Sequence, residues 1–241
     1  MDVEIYEIIK MDLRGGVILN GFPSVGLVSS IVANYIVDSL NLRQIGVVDS
    51  MYFPSVSLIR NWEPLSPVRI YGGEVKEKKI AVFVSEFPLP TPIVKPMATA
   101  ILDWVEEQRA SLVISPEGIL TENPEELNVY GIGSTENAKN FLPDYVKKFE
   151  EGVITGVTGV LLTEGKKRDM NVIALLAEAH RDYPDARAAA KIIEVINDIL
   201  LDIKIDPKPL YEEAEKIERQ ISDIREQAAK IRKTPRGYMY G

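Results

Sequence analysis

Short runs rich in valine and isoleucine alternate with stretches of helical spacing through most of the 241-residue chain. This alternation constrains the fold most, because strand–helix–strand order is the pattern of an α/β domain on a parallel or mixed sheet. Val17 to Leu19 form a brief apolar run closed by a Gly/Pro turn, and Leu27, Ile31, Ala33, Tyr35, Ile36 and Leu40 follow at near-helical spacing. RQIGVVDS (43–50) reads as a short buried parallel strand. Residues 67–87 read as two strands around a charged turn, the first broken at Gly72 and Gly73. Pro88, Pro90, Pro92 and Pro96 predict an irregular loop before a helix over 97–110. Strands are expected at 111–120 and 128–135, and a short helix begins at 136. Residues 152–170, punctuated by glycine and rich in β-branched side chains, suggest one or two strands. Helices are expected at 171–180 and 185–201.

The prolines at 207 and 209 mark the expected edge of a core domain spanning 1–206. Beyond it Leu210, Ala214, Ile217, Ile221, Ile224, Ala228 and Ile231 recur at alternating steps of four and three, a heptad seam. The intervening positions are almost all polar, so the apolar stripe is as narrow as a coiled-coil edge. A stalk helix is expected over 207–233. Three heptads are marginal alone, so the helix either pairs with copies of itself in an oligomer or folds back on its own domain. Pro235 and Gly237 end it, leaving a flexible tail at 234–241.

Composition narrows the function classes. The net charge of −8 argues against nucleic acid and anionic membranes as partners. The chain has no cysteine and one histidine, His180, which leaves no disulfide, no thiolate chemistry and no His-rich metal site. With no signal-like or bilayer-length apolar run, a cytoplasmic protein is expected.

Three sites stand out. Gly21 and Gly26 have the spacing of a phosphate loop, but Leu27-Val28 follow where lysine and a hydroxyl are needed. The plain reading is a tight strand-to-helix turn with Ser24 as cap; the alternative is a ligand loop of Gly21, Ser24 and Gly26. Glu86, Glu117 and Glu122 fall near strand ends, where a carboxylate cluster would serve acid–base chemistry or a hard metal ion, with Arg60 and Arg69 as the nearby cations. No recognisable catalytic constellation emerges, so neither enzyme activity nor a metal or other cofactor is expected. His180 reads as a helix-terminal residue. The third site is the chain end, Tyr238-Met239-Tyr240-Gly241, which follows Arg232, Lys233 and Arg236. Basic residues behind an apolar tip suit an acidic rim on a partner.

Met239-Tyr240-Gly241 resembles the hydrophobic–tyrosine–any-residue (HbYX) motif of proteasome activators and assembly chaperones. GFPSVGLVSSIVANYIVDSL (21–40) is similar to the glycine-rich opening of the archaeal and bacterial proteasome-assembly-chaperone family, and residues 183–206 resemble its closing helix. VSEFPLP and SPEGIL sit where that family has its middle strands. The resemblance implies an α/β/α sandwich around a mixed sheet, like that of purine nucleoside phosphorylases, and a homo-oligomer working without nucleotide hydrolysis. It also implies that the partner is the proteasome α ring. Met239 would fill an apolar spot, Tyr240 would bury its ring and hydrogen-bond its hydroxyl, and the Gly241 carboxylate would meet a cation, with Tyr238 as spacer or second anchor. The competing expectation is a nucleoside-type binding protein or enzyme on the same fold.

Overall fold

A computed structural model describes residues 2–120, 127–181, 183–217 and 219–220. Among these residues nine strands form one mixed sheet. In chain order they are β1 (Glu4–Glu7), β2 (Val17–Gly21), β3 (Arg43–Asp49), β6 (Val68–Val75), β7 (Lys78–Ser85), β8 (Leu112–Leu120), β9 (Val129–Gly133), β10 (Lys147–Lys148) and β11 (Val172–Ala179). β4 (Leu58–Arg60) and β5 (Glu63–Leu65) make a separate hairpin. Across the sheet the order is β1-β3-β6-β7-β2-β8-β11-β9-β10. The centre is parallel, with β2 between β7 and β8 and β11 beyond β8. β3, β6 and β1 pair antiparallel on one side, and β9 pairs antiparallel with β11 on the other.

Both faces of the sheet are covered. Helices α1 (Val28–Ser39) and α5 (Ala186–Leu200) lie on one face, α2 (Thr91–Glu107) and α4 (Gly156–Lys167) on the other, and the single-turn α3 (Glu136–Lys139) follows β9. The period-two alternation of the strands divides the core. On β7, Ile80, Val82 and Val84 point to the α1/α5 layer, while Ala81 and Phe83 point to the α2/α4 layer. On β11, Ile173, Leu175, Ala177 and Ala179 go one way and Val172, Ala174 and Leu176 the other. The fold is therefore α/β with a mixed sheet between two helical layers, as the strand–helix alternation implied.

Several local expectations are corrected. Residues 156–167 are helix α4 rather than strand, and 172–179 are strand β11 rather than helix. His180 thus follows a strand. Its backbone N–H and ring Nδ1 both meet Asp185 Oδ2, at 2.9 and 2.6 Å, and the ring stacks on Tyr183. β3 pairs antiparallel with both neighbours, not parallel. β6 runs unbroken through Gly72 and Gly73. The proline-rich loop is shorter than expected, because α2 begins at Thr91 and takes Pro92 into its first turn, where a missing N–H costs little.

After α5 the chain stays attached to the domain. The Asn197 side chain donates to Ile205 O and accepts from Ile205 N–H, both at 2.8 Å. Ile203 and Ile205 are buried in the α1/α5 layer, and Tyr35 donates to Asp206 O at 2.7 Å. A helix then begins at 208. Its first two seam positions, Leu210 and Ala214, are buried against their own domain, and Tyr211 donates to Glu194 on α5 at 2.7 Å. The seam positions from Ile221 onward and the tail at 234–241 lie outside the described residues. No described helix is long and apolar enough to cross a membrane.

The double clasp by Asn197 is the polar fastening of this segment. Asn197→Ala is expected to destabilise the protein by about 1–3 kcal/mol in urea unfolding, because two buried backbone groups lose their partners. Hydrogen exchange should speed up over 203–214 and stay unchanged in β7 and β8; a uniform change would instead mean that α5 itself is damaged.

Candidate functional site

Where β2 ends, the backbone must pass extremely close to its neighbours. A Cβ at Gly21 would collide with Ala33 Cβ and lie 2.6 Å from Phe83 O. The chain turns through Phe22, Pro23 and Ser24 into a single 3-10 turn (Val25–Leu27) and then α1. Gly26 adopts φ 60°, and its carbonyl accepts from Asp185 N–H at 2.8 Å, tying the loop to the start of α5. Ser24 Oγ accepts from Ser29 N–H in the first turn of α1 and from Gly118 N–H on β8, each at 3.2 Å. Ser24 therefore does join this helix start, but through the fifth residue on rather than by the usual N-cap bond.

β2 pairs with β8 only as far as Leu19↔Ile114. Beyond that point the strands part, and Pro116, which has no N–H to offer, occupies β8 where the neighbour has left. A cavity of about 450 Å³ opens at this fork, outside the carboxyl ends of the parallel strands. The loop supplies Phe22, Pro23 and Ser24, β8 supplies Glu117, and Leu89 and Val94 form a wall. Thr155, Gly156 and Thr158 at the start of α4 complete it.

A hydrogen-bonded chain runs along its floor. Asn20 Nδ2 donates to Ser115 Oγ at 2.8 Å, Ser115 and Thr158 hydroxyls meet at 2.8 Å, and Thr158 donates to Glu117 Oε2 at 2.7 Å. Burial pushes the Glu117 carboxyl up to about 7, against the opposing pull of hydrogen bonds from Thr158, Ser24 and the Gly118 N–H. Glu117 therefore changes charge near neutrality.

Of the residues singled out in the sequence, Gly21 and Gly26 shape this loop and Ser24 and Glu117 line the cavity. Glu86 is elsewhere occupied: it pairs with the fully buried Arg69 and, at 3.3 Å, with Arg60. Those two arginines hold a carboxylate rather than offering a phosphate site. Glu122 lies outside the described residues, as do Tyr238, Met239, Tyr240 and Gly241. Among the described residues no group of three His, Asp or Glu side chains is placed to hold a metal ion. Sequence reading missed Asn20, Thr155 and Thr158. An asparagine inside the apolar run VILNG was the available signal for the first; the others were hidden by the misreading of α4 as strand.

The model of the PAC2 family matches residues 18–225. A crystal structure of Pyrococcus furiosus PbaA, described as an archaeal homolog of proteasome-assembly chaperone, is 33% identical and covers 96% of this chain and 95% of its own, with a TM-score of 0.83. Pyrococcus furiosus PbaB, described as an archaeal proteasome activator, shares the fold at 24% identity and a TM-score of 0.82, covering 93% of this chain and 99% of its own. An uncharacterized protein of Methanocaldococcus jannaschii is 28% identical over 92% of this chain and 90% of its own length.

The carboxyl of Glu117 gives the site a stability signature. Its folded value, about 7, exceeds its ordinary 4.5, so between those pH values the folded state holds a proton that the unfolded chain has released. Stability is expected to fall as pH rises from 4.5 to about 7 and then to level off, losing on the order of 3 kcal/mol through this group. Urea unfolding of the native chain and Glu117→Gln across pH 4.5–8 isolates the effect: the difference between the two curves should widen with pH. Parallel curves would mean that the carboxyl titrates normally.

Proposed function

The chain belongs to the PAC2 family, and on that premise we propose that it is a proteasome-assembly chaperone that binds proteasome α subunits and works without catalysis. The observation carrying this reading is the likeness to PbaA, 33% identical across nearly the whole of both chains and not confined to one motif. The fold itself assigns no activity, so the resemblance to purine nucleoside phosphorylases expected from the sequence carries no enzymatic claim.

The contact is made by the chain end. Met239 enters an apolar spot, Tyr240 buries its ring, and the Gly241 carboxylate pairs with a cation of the α subunit; Tyr238 is a secondary anchor. The helix beginning at 208 supports this placement. Tyr211 bonds Glu194 and its ring centroid lies 5.7 Å from Lys191 Nζ, so the helix starts against α5. The later seam positions Ile221, Ile224, Ala228 and Ile231 continue as a stalk that pairs with copies of itself, and a homo-oligomer presents several tails at once, so weak single contacts combine.

The test is native mass measurement of the protein mixed with purified archaeal α subunits. The full chain should form a complex, whereas a chain lacking 239–241, or one extended past Gly241, should form none. If the shortened chain binds equally well, the tail mechanism is wrong. If neither form binds, the α subunit is the wrong partner.

A further inference from the structure

The cavity at the fork of β2 and β8 contains an acceptor that the protein does not satisfy. Asn20 lines it and is 2% exposed. Its Nδ2 is committed to Ser115, while its Oδ1 is buried with no hydrogen-bond partner. Such an oxygen costs about 1–3 kcal/mol, which an aliphatic side chain in this apolar strand would avoid. The start of α4 lines the same space. The first-turn amides of α4, at Gly156, Val157 and Thr158, have no partners within the helix, and Thr155 makes no side-chain cap. At Gly156 (φ 69°) a Cβ would meet nothing within 4 Å. The remaining walls, Phe22, Pro23, Leu89 and Val94, are apolar. Among the described residues no lysine or arginine lines the cavity, and Glu117 is the one ionisable group that does. A multiply charged anion thus finds no counter-ion. The volume, about 450 Å³, suits a small molecule.

We propose that this cavity binds a small uncharged molecule bearing a carboxamide or lactam on an apolar ring. The ligand N–H donates to Asn20 Oδ1, its carbonyl accepts from the first turn of α4, and its ring lies among Phe22, Pro23, Leu89 and Val94. A carboxamide carries on one planar group the donor that Asn20 Oδ1 lacks and an acceptor for the α4 amides. Below its pKa Glu117 is neutral and adds an O–H donor; above it, the carboxylate accepts a second amide N–H and disfavours anionic ligands. The site is independent of the chain end, so its failure would leave the partner-binding reading untouched, and the converse holds.

Benzamide is the probe, compared with benzoate, which has the same ring but a charge and no N–H, and with benzyl alcohol. Saturation-transfer NMR with the full chain at pH 7 should give a dissociation constant of about 1 mM for benzamide. It should be about tenfold weaker for the other two, the worth of one good hydrogen bond. Asn20→Val should remove the preference for the amide while keeping the ring contact. Leu89→Trp, on a loop and so safe for folding, should fill the cavity and abolish binding of all three without lowering the thermal midpoint. The proposal is overturned if benzamide binds no better than benzoate, if it does not bind by about 10 mM, or if Leu89→Trp, folded, binds it unchanged.

Discussion

Burial of the central strands on both faces is the constraint on which the rest of this molecule depends. β2, β7, β8 and β11 each send alternate residues into opposite helical layers, and Ile18, Leu19, Ile80–Val84 and Val172–Ala177 are at most marginally accessible. A strand in that position has no solvent side to give up. Its backbone groups must be paired along the whole length, and any departure from pairing becomes a feature of the interior. The single departure in the parallel centre is the fork where β2 leaves β8 after Leu19. The cavity, the proline at 116 and the polar chain from Asn20 to Glu117 all sit there.

That concentration of polar groups follows from the same constraint. Once the strands part, carbonyl and amide groups of β8 lose one neighbour and need side chains instead. Ser29 donates to Pro116 O at 2.6 Å, and Ser24 accepts from Gly118 N–H. A Cβ at Gly118 would collide with Val25 O, so the loop can approach closely enough to make these bonds only because β8 carries glycine at that point. The site is thus a repair of an interrupted ladder. What marks it as more than a repair is that Asn20 Oδ1 is left without a partner when the repair is complete.

The sequence made the amphipathic and bounded elements legible: the loop and helix of 21–40, the hairpin-like pair β6–β7, and α5 with its apolar face. It misled at α4 and β11 for opposite reasons. α4 carries Gly156, Gly159 and Gly165 among β-branched residues, a strand-like composition. Yet its buried positions, Val157, Leu161, Leu162 and Gly165, recur at helical spacing. Gly165 is needed because a Cβ there would stand 2.6 Å from Val172 Cγ2, so glycine marks close helix–sheet packing and not a strand. β11 is buried on both faces from Val172 to Ala177, so its apolar run has no period at all, and its alanines and leucines lend it helical propensity. The half of the site built on the 21–26 loop was visible through its glycines and Ser24. The half on α4 disappeared with the helix that carries it.

α5 links the two regions to which function has been ascribed. Asp185 caps it by accepting from Ala188 N–H at 2.9 Å, holds His180, and donates its own N–H to Gly26 O in the cavity loop. Along its length α5 packs on the sheet through residues from Ala188 to Leu200. Tyr211 of the helix that begins at 208 bonds it through Glu194, and Leu210 and Ala214 of that helix are buried. A displacement of that helix is therefore resisted by a buried, capped helix and, through it, by the sheet. The 202–207 segment adds its own attachment through the Asn197–Ile205 pair and the buried Ile203 and Ile205. Fastening the helix to α5 ties its first turns to the buried core of the domain.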